Sequence, residues 1–383
     1  MYNYIPLEQA ADILDSYRKP VNSKERLNLI KGKPLDELFP YYGATGQVGW
    51  IDSFLTDGEY ILLGEDGAPF LNPYAEKAYI IYGKTWVNNH AHILRSKTNN
   101  EFLCYYLNYF NYKNYVSGTT RLKLTQAQMR KIPIPNIPSD EQSRIVASIE
   151  ELFSELDKAV DTLKTTKEQL EVYRQTILVD AFRAATNSTY LKVGCVCAKI
   201  VDCPHSTPKW EKSGKLCLRT TNFKRGYLDL QSPNYVSEET FNDRNRRIIP
   251  QPGDVLYSRE GSVLGIACTI PSNVYPCLGQ RMMLLRSGEK LNNRYLMHYL
   301  NSPMVTNHVI ATKGGTGSPH INVGDIKEFK IPIPSIEEQS NIVRQIEEQL
   351  SSCDNVEKTV DAILAQADAM RQSILKQAFE GTL

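Results

Sequence analysis

The segment Lys131-Ile-Pro-Ile-Pro135 recurs as Lys330-Ile-Pro-Ile-Pro334, and each copy precedes a long segment that matches the other. The shared residues of these long segments stand a constant 197 positions apart, so the two align without a gap. The matched groups are Glu141-Gln-Ser143 with Glu338-Gln-Ser340, Arg174-Gln175 with Arg371-Gln372, and Ala181-Phe182 with Ala378-Phe379. Because each copy follows a globular stretch of similar length, the repeat predicts a pseudo-twofold molecule suited to a target with two parts.

Both matched segments have one apolar seam at alternating steps of four and three residues, which is typical of a coiled coil. The seam positions are Ile145, Ile149, Leu152, Leu156, Ala159, Leu163, Thr166, Leu170, Tyr173 and Ile177, then Ile342, Ile346, Gln349, Cys353, Val356, Val360, Ile363, Ala367, Met370 and Ile374.

Prolines mark where each of these helices begins. Pro138 and Pro334 exclude helix before Ser139 and Ser335, and Ser139-x-x-Gln142 and Ser335-x-x-Glu338 predict capping boxes. We expect helices of about 40–45 residues, or roughly 60–68 Å. They bury their seams either by pairing as an antiparallel coiled coil, which the shared register favours, or by packing separately on their own heads or on a partner chain.

The stretches before the helices, head 1 (residues 1–138) and head 2 (residues 186–334), also resemble each other. A helical pattern at residues 102–108 matches residues 295–301, and Gly58–Leu62 aligns with Gly253–Tyr257 as a turn that leads into a strand. Further strands are predicted at Ala78–Tyr82, His92–Arg95 and Met282–Arg286. The predicted fold is α+β, with two globular domains separated by two long helices, residues 139–185 and 335–383, that form an antiparallel coiled coil.

The formal net charge of +1 hides an uneven distribution. Head 1 carries +2, the first helix −4, head 2 +8 and the second helix −5. Positive charge on the heads fits an approach to phosphate, and acidic helices fit a solvated role away from it.

Eight scattered cysteines and the lack of a signal-peptide pattern predict reduced thiols and a cytoplasmic protein. No apolar window is long enough to span a membrane. Cys195, Cys197, Cys203 and His205 are four possible zinc ligands, but their spacing fits no zinc finger, so we expect small buried thiols and no metal.

With the doubled head-and-helix order established, the whole chain resembles the specificity (S) subunits of type I restriction–modification systems. Tyr41-Tyr-Gly-Ala-Thr-Gly-Gln47, Gly64-Glu-Asp-Gly67 and Trp86-Val-Asn-Asn-His-Ala-His92 also resemble segments of their target-recognition domains. The resemblance implies that each head is a target-recognition domain for one half of a bipartite DNA site, while the helices set the gap between halves.

The same resemblance implies that the helices bind two modification (M) subunits, which restriction (R) subunits then join. No cofactor would bind this chain itself, although the assembled complex would use S-adenosylmethionine, ATP and Mg. No catalytic residue is expected, because the sequence lacks a methyltransferase Asn/Asp-Pro-Pro-Tyr/Phe motif, a P-loop and a dinucleotide-binding glycine motif.

Two other functions stay open on the residues alone. One is a DNA methyltransferase or nuclease, or the DNA-binding part of a type II-like system, which the missing motifs disfavour. The other is a coiled-coil scaffold with protein partners, which the +8 charge of head 2 disfavours.

Candidate DNA contacts are polar side chains on loops, since base edges and phosphates are both read by such groups. In head 1 they are Tyr42, Thr45, Asn88, Asn89, His90, Arg121 and Lys123. Asn88 and Asn89 could equally cap a turn, and Arg121 and Lys123, after a flexible Ser-Gly-Thr-Thr, are expected at phosphate.

In head 2 the candidates are His205, Ser206, Lys209, Arg219, Thr221, Asn222, Arg259, Ser262, Gln280, Arg281 and Lys313. Arg259 is expected to project from the end of a strand, although a surface pair with Glu260 would explain it equally. Arg244, Arg246 and Arg247 form a basic cluster that either contacts phosphate or is solvated.

Overall fold

The computed structural model describes residues 3–185, 188–312 and 319–383. The chain divides into two compact units, unit 1 (Met1–Lys164 with Asp361–Leu383) and unit 2 (Thr165–Val360). Each unit therefore combines one head with part of each long helix. Within the described ranges, no helix is long and apolar enough to cross a membrane.

Head 1 is a mixed α+β domain that leads into the first long helix. Its elements in chain order are β1 Tyr4–Pro6, α1 Leu7–Ala10, β2 Ala11–Ile13, α2 Ser23–Ile30, β3 Phe39–Gly43, β4 Gly46–Ile51, β5 Thr56–Asp57, β6 Tyr60–Gly64, β7 Ala78–Ile81, β8 Lys84–Val87, β9 Ala91–Ser96, α3 Asn100–Tyr109, α4 Gln126–Met129, β10 Pro133–Pro135 and the long α5 Ser139–Ala184.

Head 2 has the same kind of elements and leads into the second long helix. They are β11 Thr189–Lys192, α6 Val193–Val196, β12 Cys197–Asp202, β13 Trp210–Glu211, β14 Lys215–Leu218, β15 Phe223–Lys224, β16 Tyr227–Leu228, β17 Tyr235–Val236, α7 Glu238–Arg244, β18 Val255–Ser258, β19 Ala267–Thr269, β20 Cys277–Leu278, β21 Met282–Ser287, α8 Asn293–Asn301, α9 Pro303–Thr312, α10 Val323–Lys327, β22 Lys330–Ile333 and the long α11 Ile336–Glu380.

The central sheets of the two heads have the same strand order. It is β2-β9-β6-β7 in head 1 and β12-β21-β18-β19 in head 2, with antiparallel neighbours throughout. Leu62 of β6 and Leu256 of β18 face one side of their sheets, while Ile61 and Val255 face the long helices. The predicted alignment of Gly58 with Gly253 is therefore wrong by one residue, because it would pair positions on opposite faces.

Each head has a second sheet. Within the described residues, this sheet contains the one parallel pair of strands in its head. Its order is β4-β3-β8-β5 in head 1 and β13-β17-β14-β20 in head 2. The parallel pairs are β3 with β8 and β14 with β20. Turns at the ends of these strands form the surface described below.

The Ile-Pro-Ile-Pro segments are edge strands. Strand β10 pairs with β1 and β22 pairs with β11, each in an isolated two-stranded sheet. Ile132, Ile134 and Ile331 are buried in this alternating pattern. Proline suits such an edge because its missing N–H removes no bond from a central ladder.

Helices α5 and α11 contain 46 and 45 residues, so both were predicted correctly. Within each unit their segments run antiparallel. In unit 1, Arg371 pairs with Asp157. In unit 2, Arg174 lies 2.5 Å from Asp354 and 2.7 Å from Glu357. Arg174 and Arg371 are counterparts in the repeat, as are Asp157 and Asp354, so both units use the same ion pair.

The predicted seam is confirmed at every second position and wrong by one residue at several of the others. Leu156, Ile177, Cys353 and Val360 are at most 9% exposed, as predicted. Tyr173, Val356, Ile363 and Met370 are largely exposed, between 43% and 52%. The neighbouring positions 174, 357, 364 and 371 are the less exposed ones. The less exposed positions 353, 357, 360, 364, 367 and 371 keep the seven-residue spacing, so only the choice of the alternate position was wrong.

Each head packs on an aromatic residue from the long helix of the other repeat. In unit 1, the Phe379 ring of α11 lies 5.4 Å from Phe102 and 5.2 Å from Tyr106 of α3. In unit 2, the Phe182 ring of α5 lies 5.1 Å from both Tyr295 and Tyr299 of α8. This packing explains the repeated Ala-Phe pair.

A buried glutamine at the start of each helix contacts the head of its own repeat. Gln142 donates to the Ile137 carbonyl (2.9 Å) and accepts from the Thr98 hydroxyl (2.9 Å). Gln339 donates to the Lys290 and Pro334 carbonyls (2.9 Å each). The capping box predicted at Ser139 is thus wrong, because the Gln142 amide is used elsewhere.

We expect Phe182→Ala and Phe379→Ala to destabilise different units. Each removes a buried ring and should lower the local opening free energy by about 3–5 kcal/mol. Native-state hydrogen exchange should show lost protection of α8 for Phe182→Ala and of α3 for Phe379→Ala. Val172→Ala, at a side chain that is 68% exposed, is the control. Equal loss in both helices would contradict this packing.

Candidate nucleic-acid interface

Loops at the ends of the parallel strand pair in head 1 form an open groove of about 560 Å³. The β3–β4 turn contributes Gly43, Ala44 and Thr45, and the turn after β6 contributes Asp66, Gly67 and Ala68. The groove is completed by Val48, Asn88, His90, Thr120, Arg121 and Leu122. Four predicted contacts, Thr45, Asn88, His90 and Arg121, therefore meet here although they are far apart in sequence.

The remaining candidates of head 1 lie beside this groove. Tyr42 is half-buried, with its ring 5.9 Å from that of Tyr79, and burial raises the pKa of Tyr42. Asn89 is exposed in the turn after β8. Asn88 is 7% exposed, and its side-chain oxygen accepts from the His90 N–H at 2.8 Å. Asn88 thus has the turn role that the sequence left open.

Both basic residues of the loop before α4 are paired with acids. Arg121 Nε lies 2.7 Å from Asp66 Oδ1, and Lys123 Nζ lies 3.3 Å from Glu65 Oε1. The two side chains are still 61% and 50% exposed. They can therefore reach a ligand that approaches the groove.

A buried charge network supports these loops from below. His92, fully buried in β9, contacts Asp15 Oδ2 at 2.8 Å and the Leu124 carbonyl at 3.0 Å. Arg18 pairs with both Asp15 and Glu65. Burial alone would raise the pKa of Asp15 and of Glu65. Hydrogen bonds and charge from His92 lower the pKa of Asp15, and those from Arg18, with the charge of His92, lower that of Glu65.

Matching backbone hydrogen bonds identify the equivalent positions in head 2. Glu65 N–H donates to the His90 carbonyl (2.7 Å), as Arg259 N–H does to that of Arg281 (3.1 Å). Gly67 N–H donates to Leu122 (3.0 Å), as Gly261 N–H does to Pro319 (2.9 Å). Arg259 therefore occupies the place of Glu65, Glu260 that of Asp66, and Arg281 that of His90.

Arg259 does not project from its strand as expected. It is 8% exposed, and its Nε and terminal nitrogen donate to the two carboxylate oxygens of Asp202 at 2.8 and 3.0 Å. In head 1 the same strand position holds an acid, Glu65, which pairs with Arg18. We therefore withdraw Arg259 as a DNA contact.

Two further polar residues are used inside head 2. Asn222 is 6% exposed, accepts from Arg219 N–H at 2.8 Å and donates to the Asp229 carbonyl at 3.0 Å. Arg244 is 6% exposed, and it donates to backbone carbonyls that include Leu278 (2.6 Å) and Gly279 (2.8 Å). Neither is available to DNA, so the predictions for Asn222 and for Arg244 of the basic cluster are corrected.

The other candidates in head 2 reach the surface. The Arg219 guanidinium lies 5.3 Å from the centre of the Trp210 ring. His205 is 3.2 Å from Asp202, and Gln280 donates to the His205 carbonyl. Ser206, Lys209, Thr221, Ser262 and Arg281 are exposed. Lys313 lies outside the described residues.

The possible zinc ligands are not assembled. Among the residues that the structure describes, no three His, Cys, Asp or Glu side chains could hold a metal ion. Each of the eight cysteines is a free thiol. Cys203 is buried as predicted, whereas Cys195 is exposed and belongs to the short helix α6 rather than to a strand.

The family model of the type I restriction modification DNA specificity domain matches residues 9–172 and again residues 203–364. The chain belongs to this family. A Haemophilus influenzae protein classed with the type I restriction enzyme specificity subunits is 29% identical over 350 residues, covering 88% of this chain and 85% of the relative.

Two solved structures share the specificity-subunit fold at 19% identity. A chain from work on complex assembly and conformational transition of the type I R-M system matches with a TM-score of 0.69, over 100% of this chain and 98% of that chain. The HsdS subunit from Thermoanaerobacter tengcongensis matches with a TM-score of 0.58, over 100% and 97%. The family resemblance seen in the sequence is confirmed.

As a type I specificity subunit, the chain selects a DNA sequence and is not itself catalytic. Sequence reasoning missed the acid of its groove, Asp66, and the charge network below it, Asp15, Arg18, Glu65 and His92. The Asp-Gly turn was visible, but Asp66 and its partner Arg121 are 55 residues apart and Asp15 and His92 are 77 apart, and no local signal reports such pairing.

In the specificity subunit, Asp202→Asn should leave the Arg259 guanidinium buried without a counter-charge. We expect unit 2 to lose about 3–5 kcal/mol, and Asp202→Leu with Arg259→Met to recover most of it. Urea unfolding monitored by hydrogen exchange measures the loss of stability in Asp202→Asn and its recovery in the double variant. The control is Asp243→Asn, since that carboxylate is 59% exposed and lies 3.1 Å from Arg246. Equal effects of Asp202→Asn and Asp243→Asn would contradict the assignment.

Proposed function

We propose that heads 1 and 2, residues 1–138 and 186–334, each read one half of a bipartite, asymmetric DNA site. The observation that carries this proposal is the groove of head 1, which gathers Thr45, His90 and Arg121 on loops held by a rigid sheet. Side chains on such loops can reach base edges, and neighbouring lysines can reach phosphate.

The different surfaces of the two heads support an asymmetric site. The backbone frameworks correspond bond for bond around the turns after β6 and β18, yet His90 is replaced by Arg281 and Asn88 by Gly279. Because base readout depends on side chains, equal frameworks with unequal side chains suit two different half-sites.

We further propose that α5 and α11 set the gap between the half-sites and bind modification subunits, two per specificity subunit, with restriction subunits joining through them. The acidic helices and exposed apolar residues such as Val172, Tyr173 and Met370 support a protein-binding role. In that complex, the partner subunits would bind and use S-adenosylmethionine, ATP and Mg.

The test is co-expression of this chain with its modification subunit in a host without DNA methylation, followed by genome-wide mapping of modified bases. We expect a split, asymmetric motif that appears only when the chain is present. With the modification subunit verified as active together with another specificity subunit, an absent or unsplit motif would contradict the proposal.

Within this function we expect Lys123→Ala to weaken DNA binding for every sequence alike. A phosphate contact contributes through counterion release, so the slope of log K against log salt should fall by about 1. Lys33→Ala is a matched control, because the Lys33 ammonium is also paired with an acid, Asp52, at 2.8 Å. A loss confined to one base position would show that Lys123 reads a base instead.

A further inference from the structure

The same three-part arrangement occurs in both heads, an arginine beside an acid and over a glycine. In head 1, Arg121 Nε lies 2.7 Å from Asp66 Oδ1. The same nitrogen is 3.3 Å from the point where a Cβ on Gly67 would lie. In head 2, Arg281 Nε lies 3.7 Å from Glu260 Oε1, and its terminal nitrogen is 3.5 Å from that point on Gly261.

The acid and the glycine occupy equivalent positions, but the arginines do not. Asp66-Gly67 and Glu260-Gly261 match through their backbone bonds. Arg281 stands where head 1 has His90, whereas Arg121 comes from the loop that leads to Lys123. Two different segments thus place a guanidinium at the same turn, so the arrangement is not a simple consequence of the repeat.

We propose that Arg121 and Arg281 are the residues with which heads 1 and 2 read guanine. This inference rests on the proposed function and replaces the phosphate contact expected for Arg121 from the sequence. In both residues the Nε faces the acid, while the side chain stays 61% exposed for Arg121 and 54% exposed for Arg281. The two terminal nitrogens have the fork geometry that matches guanine O6 and N7.

The acid makes each arginine better suited to a base than to a phosphate. The acid can hold the planar guanidinium fork in one orientation, a constraint that the acid beside Lys123 cannot impose on a single ammonium. It also restricts a flexible side chain before DNA arrives, so less rotamer freedom is lost on binding. The glycine leaves room for the guanidinium, since a Cβ there would lie 3.3 Å from an Arg121 nitrogen or 3.5 Å from an Arg281 nitrogen.

The backbone of Arg281 adds an independent observation. Its φ is +66°, a left-handed conformation that, within the described ranges, only Asn273 shares among non-glycine residues. Such conformations are unfavourable for a bulky side chain and concentrate at functional sites. A glycine would suit this backbone better, so the arginine is explained by what its side chain does.

The test uses the full chain with its modification subunit and compares methylated motifs for Arg121→Ala, Arg121→Lys, Arg281→Gly and Arg281→Lys. We expect each variant to lose discrimination at one G·C position, by about 10-fold or more, in one half-site only. Lysine should not restore it, because it keeps the charge but lacks the fork. Asp66→Asn and Glu260→Gln should weaken discrimination at the same positions as their arginines.

Controls separate the outcomes. Asp52→Asn removes a paired acid of head 1 outside the groove and should leave the motif unchanged. Arg281→Gly relieves the backbone, so thermal unfolding should show no loss of stability. An even loss over all sequences that lysine restores would overturn the inference in favour of phosphate contacts. A wild-type chain without a split motif would instead contradict the proposed function.

Discussion

The packing of each head against both long helices is the contact on which the rest of the structure depends. Phe379 fixes α3 of head 1 and Phe182 fixes α8 of head 2, so each head is held by the helix of the other repeat. Gln142 and Gln339 hold each head to its own helix. A head with two such attachments keeps a defined orientation on the helices.

Because the attachment is the same in both heads, the two repeats share a framework and differ at their surfaces. Within each unit, the helices, the central sheet and the ion pair of Arg174 or Arg371 repeat closely. The ion pairs below the surface loops differ, since one strand position holds Glu65, paired with Arg18, in head 1 and Arg259, paired with Asp202, in head 2. The loops above can then differ without altering how each head is held.

Much of the architecture could be predicted from the sequence, because it depends on periodic and repeated signals. The proline-marked starts and apolar spacing gave both helices, and alternating residues gave strands at Ala78–Ile81 and Met282–Ser287. Alternate seam positions such as Tyr173 and Met370 were misplaced by one residue, because the neighbouring Arg174 and Arg371 face the other helix through their ion pairs. The turn before β18 was misaligned because Gly253 stands two residues before Val255, whereas Gly58 stands three residues before its equivalent, Ile61. Such a one-residue error assigns every side chain to the opposite face of the strand.

The candidate site was predictable only in part. Loop residues such as Thr45, His90 and Arg121 were identified by type, and the structure brings them to one groove. Arg259 and Asn222 were misjudged because a polar residue looks the same in sequence whether its partner is DNA or a distant residue of the chain. Asp202 is 57 positions from Arg259, a separation that leaves no local pattern.

The most direct measurement for the central claim is to exchange residues 1–138 for the corresponding head of another specificity subunit and map the methylated motif. The donor should keep aromatic residues at the positions of Phe102 and Tyr106, so that Phe379 still packs against the new head. The account predicts that one half of the motif changes while the other half and the gap stay the same. A motif in which both halves or the gap changed would contradict it.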